Sequence, residues 1–133
     1  MKLNYLYTAI FIIASINAGA QNAKLKKADR DYENYAYIDA IKTYERVAEK
    51  GYKDAGMFKK LGNAYYFNAE LNKAEKWYRD LFAMKQEVEP EYYYRYAQSL
   101  KSVSKYEEAN NMLDLFNSKS GNDSRAALYE RIK

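Results

Sequence analysis

The sequence predicts an all-α fold made of repeated helical hairpins, and three observations predict it. Turn-forming residues are scarce, with one proline and five glycines in 133 residues. That is too few for the many tight turns of a β-barrel or sandwich. A pattern of small and large side chains recurs: Tyr37-x2-Ala40-x3-Tyr44 aligns with Leu71-x2-Ala74-x3-Tyr78 at a step of 34 and with Tyr106-x2-Ala109-x3-Leu113 at a further 35. A second pattern repeats beside it, Phe58-x2-Leu61-Gly62-x2-Tyr65 returning as Tyr93-x2-Tyr96-Ala97-x2-Leu100 at a step of 35. Self-similarity of this period marks stacked supersecondary units.

The elements follow in chain order. Met1-Lys2-Leu3-Asn4 is a short basic start, Tyr5 to Ile16 carries no charge, and Ala18-Gly19-Ala20 has the small-x-small form that a signal peptidase cuts after. Together they read as a secretory signal peptide over residues 1–20. The apolar run is short for a membrane span, which takes roughly 20 residues, so no stable membrane insertion is expected after cleavage. Residues 21–133 then form one repeat domain, with hairpins over 22–52, 54–86 and 89–120. Asp54 can cap a helix beginning near Ala55. Glu89-Pro90 puts proline in a first helical turn, where its missing N–H does no harm. Gly51 and Gly121 suit C-terminal caps. After the break at Ser120-Gly121-Asn122-Asp123, residues 124–132 read as a short capping helix, giving seven helices in all.

Packing explains the spacing. Ala40, Ala74 and Ala109 fall on the second helix of each pair, Gly62 and Ala97 on the first. Small side chains there let helix axes approach to about 8–10 Å. Phe58, Tyr65, Trp77, Tyr78, Tyr93, Tyr96, Leu113 and Phe116 are the expected seam fillers. In these positions the chain resembles the tetratricopeptide (TPR) family, whose 34-residue unit carries an aromatic, Leu-Gly, Tyr, then Ala and an aromatic. Phe58 to Tyr78 matches that unit nearly position for position, and the third unit matches with one extra residue around Pro90. The first is degenerate: Ala28 holds the small position, but Tyr32 arrives one place late. The resemblance covers about residues 22–119 and implies a right-handed superhelix of three helix-turn-helix repeats plus the capping helix.

Composition removes most chemistry. Cysteine and histidine are absent, which excludes thiol nucleophiles, disulfides, histidine bases and ordinary zinc sites. No cofactor is expected, and no enzymatic role. The net charge is +4, but 22 basic residues are interleaved with 18 acidic ones and the longest basic run is Lys24-Leu25-Lys26-Lys27. Nucleic-acid binders show a one-sided stripe instead, so no nucleic-acid partner is expected. Asp29-x-Asp31-x-Glu33 opens like a calcium loop, yet Asn34 and Ala40 stand where that loop needs glycine and glutamate. Asn122-Asp123-Ser124 matches a glycosylation sequon. Glu87, Glu89 and Glu91 sit at an interhelix turn, which is no closed pocket for acid–base work.

The resemblance also implies a binding groove lined by the first helix of each pair. By register it falls on Lys59, Asn63, Tyr66 and Phe67 in the second repeat, and on Glu91, Tyr94, Arg95, Gln98 and Lys101 in the third. Lys59, Asn63 and Arg95 look like part of the clamp by which some TPR domains hold a C-terminal carboxylate, though Glu91 stands where that clamp has lysine. Tyr93 and Tyr96 take core positions; Tyr92 and Tyr94 face elsewhere. The order of signal peptide, lysine-rich helix, Tyr37 to Glu45 and Leu61-Gly-Asn-Ala-Tyr-Tyr66 is similar to the N-terminal region of OmpA-family envelope proteins of Bacteroidetes. Some of those are linked to type IX secretion and gliding. They continue into a β-propeller and a peptidoglycan-binding domain, neither of which falls within these 133 residues. The expected function is an exported adaptor in the periplasm or at the outer membrane, binding an envelope protein or peptide. A glycan or peptidoglycan-fragment binder using exposed tyrosines is the alternative. An open solenoid end can also stack on a copy of itself, so self-association is a further expectation.

Overall fold

A computed structural model describes residues 19–121; most of the expected signal segment and the whole of the expected capping helix lie outside those residues. The described residues form six helices: α1 (19–33), α2 (Tyr37–Glu49), α3 (Ala55–Phe67), α4 (Leu71–Ala83), α5 (Pro90–Ser102) and α6 (Tyr106–Ser120). They pair in sequence as three helix-turn-helix units. The chain divides between Lys53 and Asp54 into two compact units. The first contains the α1–α2 hairpin, the second the α3–α4 and α5–α6 hairpins.

The helices form for local reasons. In α4 the apolar residues Leu71, Ala74, Trp77, Tyr78 and Leu81 recur at the three- and four-residue steps that line one helical face. Asp54 caps α3 as expected, its Oδ1 accepting from Met57 N at 2.8 Å, and Pro90 opens α5 in its first turn. The turn inside each hairpin is the same structure three times. Tyr35, Ala69 and Ser104 take φ of 60°, 60° and 63°, at the 34- and 35-residue steps of the sequence repeat. Around each, two backbone bonds close the helix end: Tyr35 N to Tyr32 O and Ala36 N to Asp31 O, Ala69 N to Tyr66 O and Glu70 N to Tyr65 O, Ser104 N to Lys101 O and Lys105 N to Leu100 O. This is a Schellman closure, which usually places glycine at the left-handed residue; none of these three is glycine.

In the first unit Ala28, Ala40, Tyr44 and Val47 are fully buried. Tyr44 Oη donates to Asp29 Oδ1 at 2.5 Å, tying α2 to α1. Burial and that carboxylate together push the Tyr44 hydroxyl far above the ordinary tyrosine range.

In the second unit the expected small positions are all closed: Ala74, Ala97 and Ala109 have no exposed surface. At Gly62 a Cβ would lie 2.6 Å from Tyr78 Cδ1, so only glycine admits that ring. Phe58, Tyr65, Trp77, Tyr78, Tyr93, Tyr96 and Phe116 are buried as expected. Leu113 is only half-buried; on α6 the burial is taken by Ala109 and Phe116. Phe82 joins the two hairpins, edge-on to Tyr93 at 4.9 Å and stacked on Tyr96 at 5.1 Å. The carboxylate of Glu75, 6% exposed, accepts from Arg79 Nη1 at 3.2 Å and from Lys105 Nζ at 3.0 Å. The second of these bonds pins the α5–α6 turn to α4.

Candidate partner-binding face of α3 and α5

The helices that the repeat register assigns to a groove, α3 and α5, approach each other in the second unit. Their facing side chains form one connected network. At its base is Asn63, 5% exposed. Its Oδ1 accepts from Tyr78 Oη at 2.9 Å and from Arg95 Nη1 at 3.0 Å, and its Nδ2 donates to Tyr92 Oη at 3.3 Å. An amide has two acceptor sites on oxygen and two donors on nitrogen, so Asn63 joins α3, α4 and α5 through one side chain.

Two cations sit over this base. Arg95 is flanked by two rings, its guanidinium carbon 5.1 Å from the Phe67 centroid and 5.4 Å from that of Tyr92. Lys59 donates to Glu89 Oε2 at 2.6 Å and lies 5.0 Å from the Tyr92 centroid. The Lys59 ammonium holds the Glu89 carboxyl below the usual carboxylate range. Such an exposed pair contributes about 0–1 kcal/mol, so its value here is orientation. Arg95 differs: among the described residues it has no carboxylate within ion-pair distance. Its guanidinium meets two ring faces and an amide oxygen.

The expected groove residues therefore separate. Lys59, Arg95 and Phe67 lie together, and Phe67 is 49% exposed. Tyr66 is half-buried, edge-on to Phe67 at 5.7 Å and to Tyr78 at 6.5 Å. Asn63 lies beneath Arg95 and Tyr92 and bonds to both. Gln98 and Lys101 are half-buried and continue the α5 row one and two turns beyond Arg95. Tyr94 is half-buried with its ring 5.6 Å from Phe116 of α6, which ties it to the third hairpin rather than to Arg95. Sequence reasoning missed Tyr92 and Glu89. Their signal was the three-residue spacing Glu89, Tyr92, Arg95, which puts all three on one face of the start of α5.

Among the described residues no group of three acidic side chains could hold a metal ion. Nor is any helix there long and apolar enough to cross a membrane. Asp31 instead pairs with Lys27 at 2.7 Å, and Asp29 accepts from Tyr44, which leaves the apparent calcium spacing on α1 engaged with other partners.

Comparison with solved structures identifies the architecture. The chain matches the C-terminal part of a TPR repeat-containing protein from Cytophaga hutchinsonii with a TM-score of 0.62 and 18% identity, over 71% of this chain and 38% of that one. The fold is TPR-like. The chain spans well under half of that relative's length. It also matches SycD, the type III secretion translocator chaperone of Yersinia enterocolitica, with a TM-score of 0.61 and 20% identity over 91% of this chain and 90% of that one. A third match is PcrH, solved in complex with the chaperone-binding region of PopB, with a TM-score of 0.60 and 17% identity over 85% and 91%. No family model matches the chain, and no curated protein matches it in sequence.

Proposed function

We propose that the chain is an exported TPR module that holds a segment of a partner protein against α3 and α5. The observation that carries this reading is the pair Phe67 and Arg95. A half-exposed ring and a guanidinium without a carboxylate within ion-pair distance lie 5.1 Å apart, and the Asn63 amide holds the guanidinium before any partner arrives. Aromatic and arginine side chains of this kind dominate protein interfaces. Preorganisation spares the partner the cost of ordering them. PcrH, a chain of the same fold, was solved with a binding region of another protein, which supports a protein segment as the ligand class. The N-terminal signal pattern supports export to the cell envelope, and the resemblance to Bacteroidetes OmpA-family proteins supports a partner among envelope, type IX secretion or gliding components.

The test is capture from envelope extracts with wild-type protein and with Arg95→Ala and Phe67→Ala. Both substitutions sit on the surface of the network, so each variant should keep its helical circular dichroism and lose the partner. Crosslinking from position 98 should reach the same protein. Unchanged recovery with both variants refutes the assignment. So does a response to cell-wall glycan fragments that leaves protein capture unaffected; that outcome would establish the glycan reading.

A further inference from the structure

The turn of the α1–α2 hairpin carries side chains that partner binding on α3 and α5 does not use. Tyr35 takes its left-handed position, where the other two hairpins have Ala69 and Ser104. It is 79% exposed, more than any other large hydrophobic side chain among the described residues, and Ile38 is 58% exposed. The Tyr35 ring lies 6.1 Å from that of Tyr37 at 89°, and the Tyr37 ring lies 5.5 Å from that of Tyr32 at 59°. Three rings thus form one contiguous aromatic patch at the tip of the hairpin. At the repeat step the corresponding residues are Tyr66, Ala69 and Leu71 in the second hairpin and Lys101, Ser104 and Tyr106 in the third. Neither has an aromatic at all three positions.

The turn does not need this ring. Ala69 and Ser104 close the same geometry with the same two backbone bonds. A bulky residue in the left-handed region costs more than a small one, and an exposed ring recovers little of that cost by burial. Backbone strain of this kind gathers at sites that bind. In the second unit, ring faces are covered by cations of this same chain: Lys59 over Tyr92 at 5.0 Å, Lys73 over Tyr65 at 5.6 Å, Lys76 over Trp77 at 3.5 Å and Lys119 over Tyr93 at 5.5 Å. Among the described residues no cation covers Tyr35. The stretch around it is acidic, with Asp29, Asp31, Glu33 and Asp39 against one base, Arg30. Asp31 pairs with Lys27 at 2.7 Å and Asp39 with Lys42 at 3.8 Å, while Asp29 accepts from Tyr44. Glu33, two residues before Tyr35, is exposed, and among the described residues it has no cation within ion-pair distance.

We propose that the tip of the α1–α2 hairpin docks an arginine-bearing segment of a partner protein, with a guanidinium stacked on Tyr35 and bonded to Glu33. The partner supplies here the cation that this chain supplies to its own rings elsewhere. A guanidinium is planar, stacks on aromatic faces and meets a carboxylate through two parallel N–H groups; an ammonium has no plane to stack. The rings are turned steeply to one another, so they offer no continuous flat platform along which an oligosaccharide could lie.

The test is heteronuclear NMR of the full chain, titrated with a capped peptide of alternating glycine and arginine. Lysine and glutamate peptides of the same length serve as comparisons. The amide signals of Glu33 and Tyr35 should shift saturably with the arginine peptide, less tightly with the lysine peptide and not with the glutamate peptide. Added sodium chloride should weaken the binding. Tyr35→Gly removes the ring and suits the left-handed turn. It should melt higher than wild type and bind the arginine peptide about 2- to 30-fold more weakly, the range of one cation–π contact. Glu33→Gln should fold as wild type, bind more weakly and lose most of the salt dependence. Absence of saturable shifts at Glu33 and Tyr35 overturns the proposal. So does equal affinity for the arginine and lysine peptides, or full affinity in both variants. A lower melting temperature in Tyr35→Gly also overturns it, since the ring would then serve the fold. Two other results would reassign the tip and overturn the proposal with it. Saturable shifts with N-acetylglucosamine oligomers but not with the arginine peptide would give it to a glycan. A wild-type dimer in sedimentation, abolished by Tyr35→Gly, would give it to a second copy of the chain.

Discussion

Replacing Ala69 or Ser104 by glycine should stabilise the protein. Both residues are exposed, at φ of 60° and 63°, and each closes a hairpin turn through two backbone bonds that a side chain does not make. Holding a non-glycine residue in the left-handed region costs about 1–2 kcal/mol. Glycine removes that cost but loses about 0.4–1 kcal/mol more backbone entropy on folding. The net gain is up to about 1.6 kcal/mol per site, with a midpoint of about 0.8 kcal/mol, and in a domain of this size about 1 kcal/mol raises the melting temperature by about 4–8 °C. The two sites lie in different hairpins and share no partner, so the double variant should show the sum. Thermal melts followed at the helical circular-dichroism band measure it. Asn110→Gly, exposed inside α6, is the matched control and should lower the melting temperature, because glycine weakens a helix interior. If Ala69→Gly and Ser104→Gly also lower it, the turns are not left-handed closures and the common geometry of the three hairpins is wrong.

Two further outcomes follow from the core. Gly62→Ala should destabilise through overpacking, which costs about 1–3 kcal/mol and is offset by about 0.5–1 kcal/mol for alanine's better helix propensity, leaving a net loss of about 0.5–2 kcal/mol. The Tyr78 ring it meets is fully buried, with its hydroxyl on Asn63, and has nowhere to move. Urea unfolding measures the loss, and partner capture should weaken with it, because a shifted Tyr78 displaces the amide that orients Arg95. Stability should also fall in alkali. Burial, then the charge of Glu75, pushes the Tyr96 hydroxyl up to about 12, while an unfolded tyrosine titrates near about 10. Between those values the unfolded chain has released a proton that the folded chain keeps, so stability present below about pH 10 is lost as pH rises, by at most about 1.4 kcal/mol per unit for this group. Tyr96→Phe should flatten that slope in urea midpoints taken across the range; a wild-type slope of zero refutes it.

How much of this was legible in the sequence depends on the distance over which each feature is determined. The buried alanines, Gly62, the cap at Asp54 and Pro90 in the first turn of α5 were legible, because each is set by spacing within one or two turns of helix. The left-handed turns were not. Their usual signature is glycine, and here the residues are Tyr35, Ala69 and Ser104, held by closure of the whole hairpin rather than by their own preference. Asn63 was legible as a position on α3 but not as a hub, since its partners Tyr78, Tyr92 and Arg95 are 15 to 32 residues away and only packing brings them to it. The same packing separates Tyr94 from Arg95, its neighbour in sequence. Side chains one residue apart leave a helix about 100° apart, so one ring joins α6 while the guanidinium joins α3. The α3–α5 face is thus a property of the assembled hairpins. Gly62 admits Tyr78, Tyr78 holds Asn63, and Asn63 holds Arg95. A repeat pattern selected for close packing therefore also sets where a partner would meet charge.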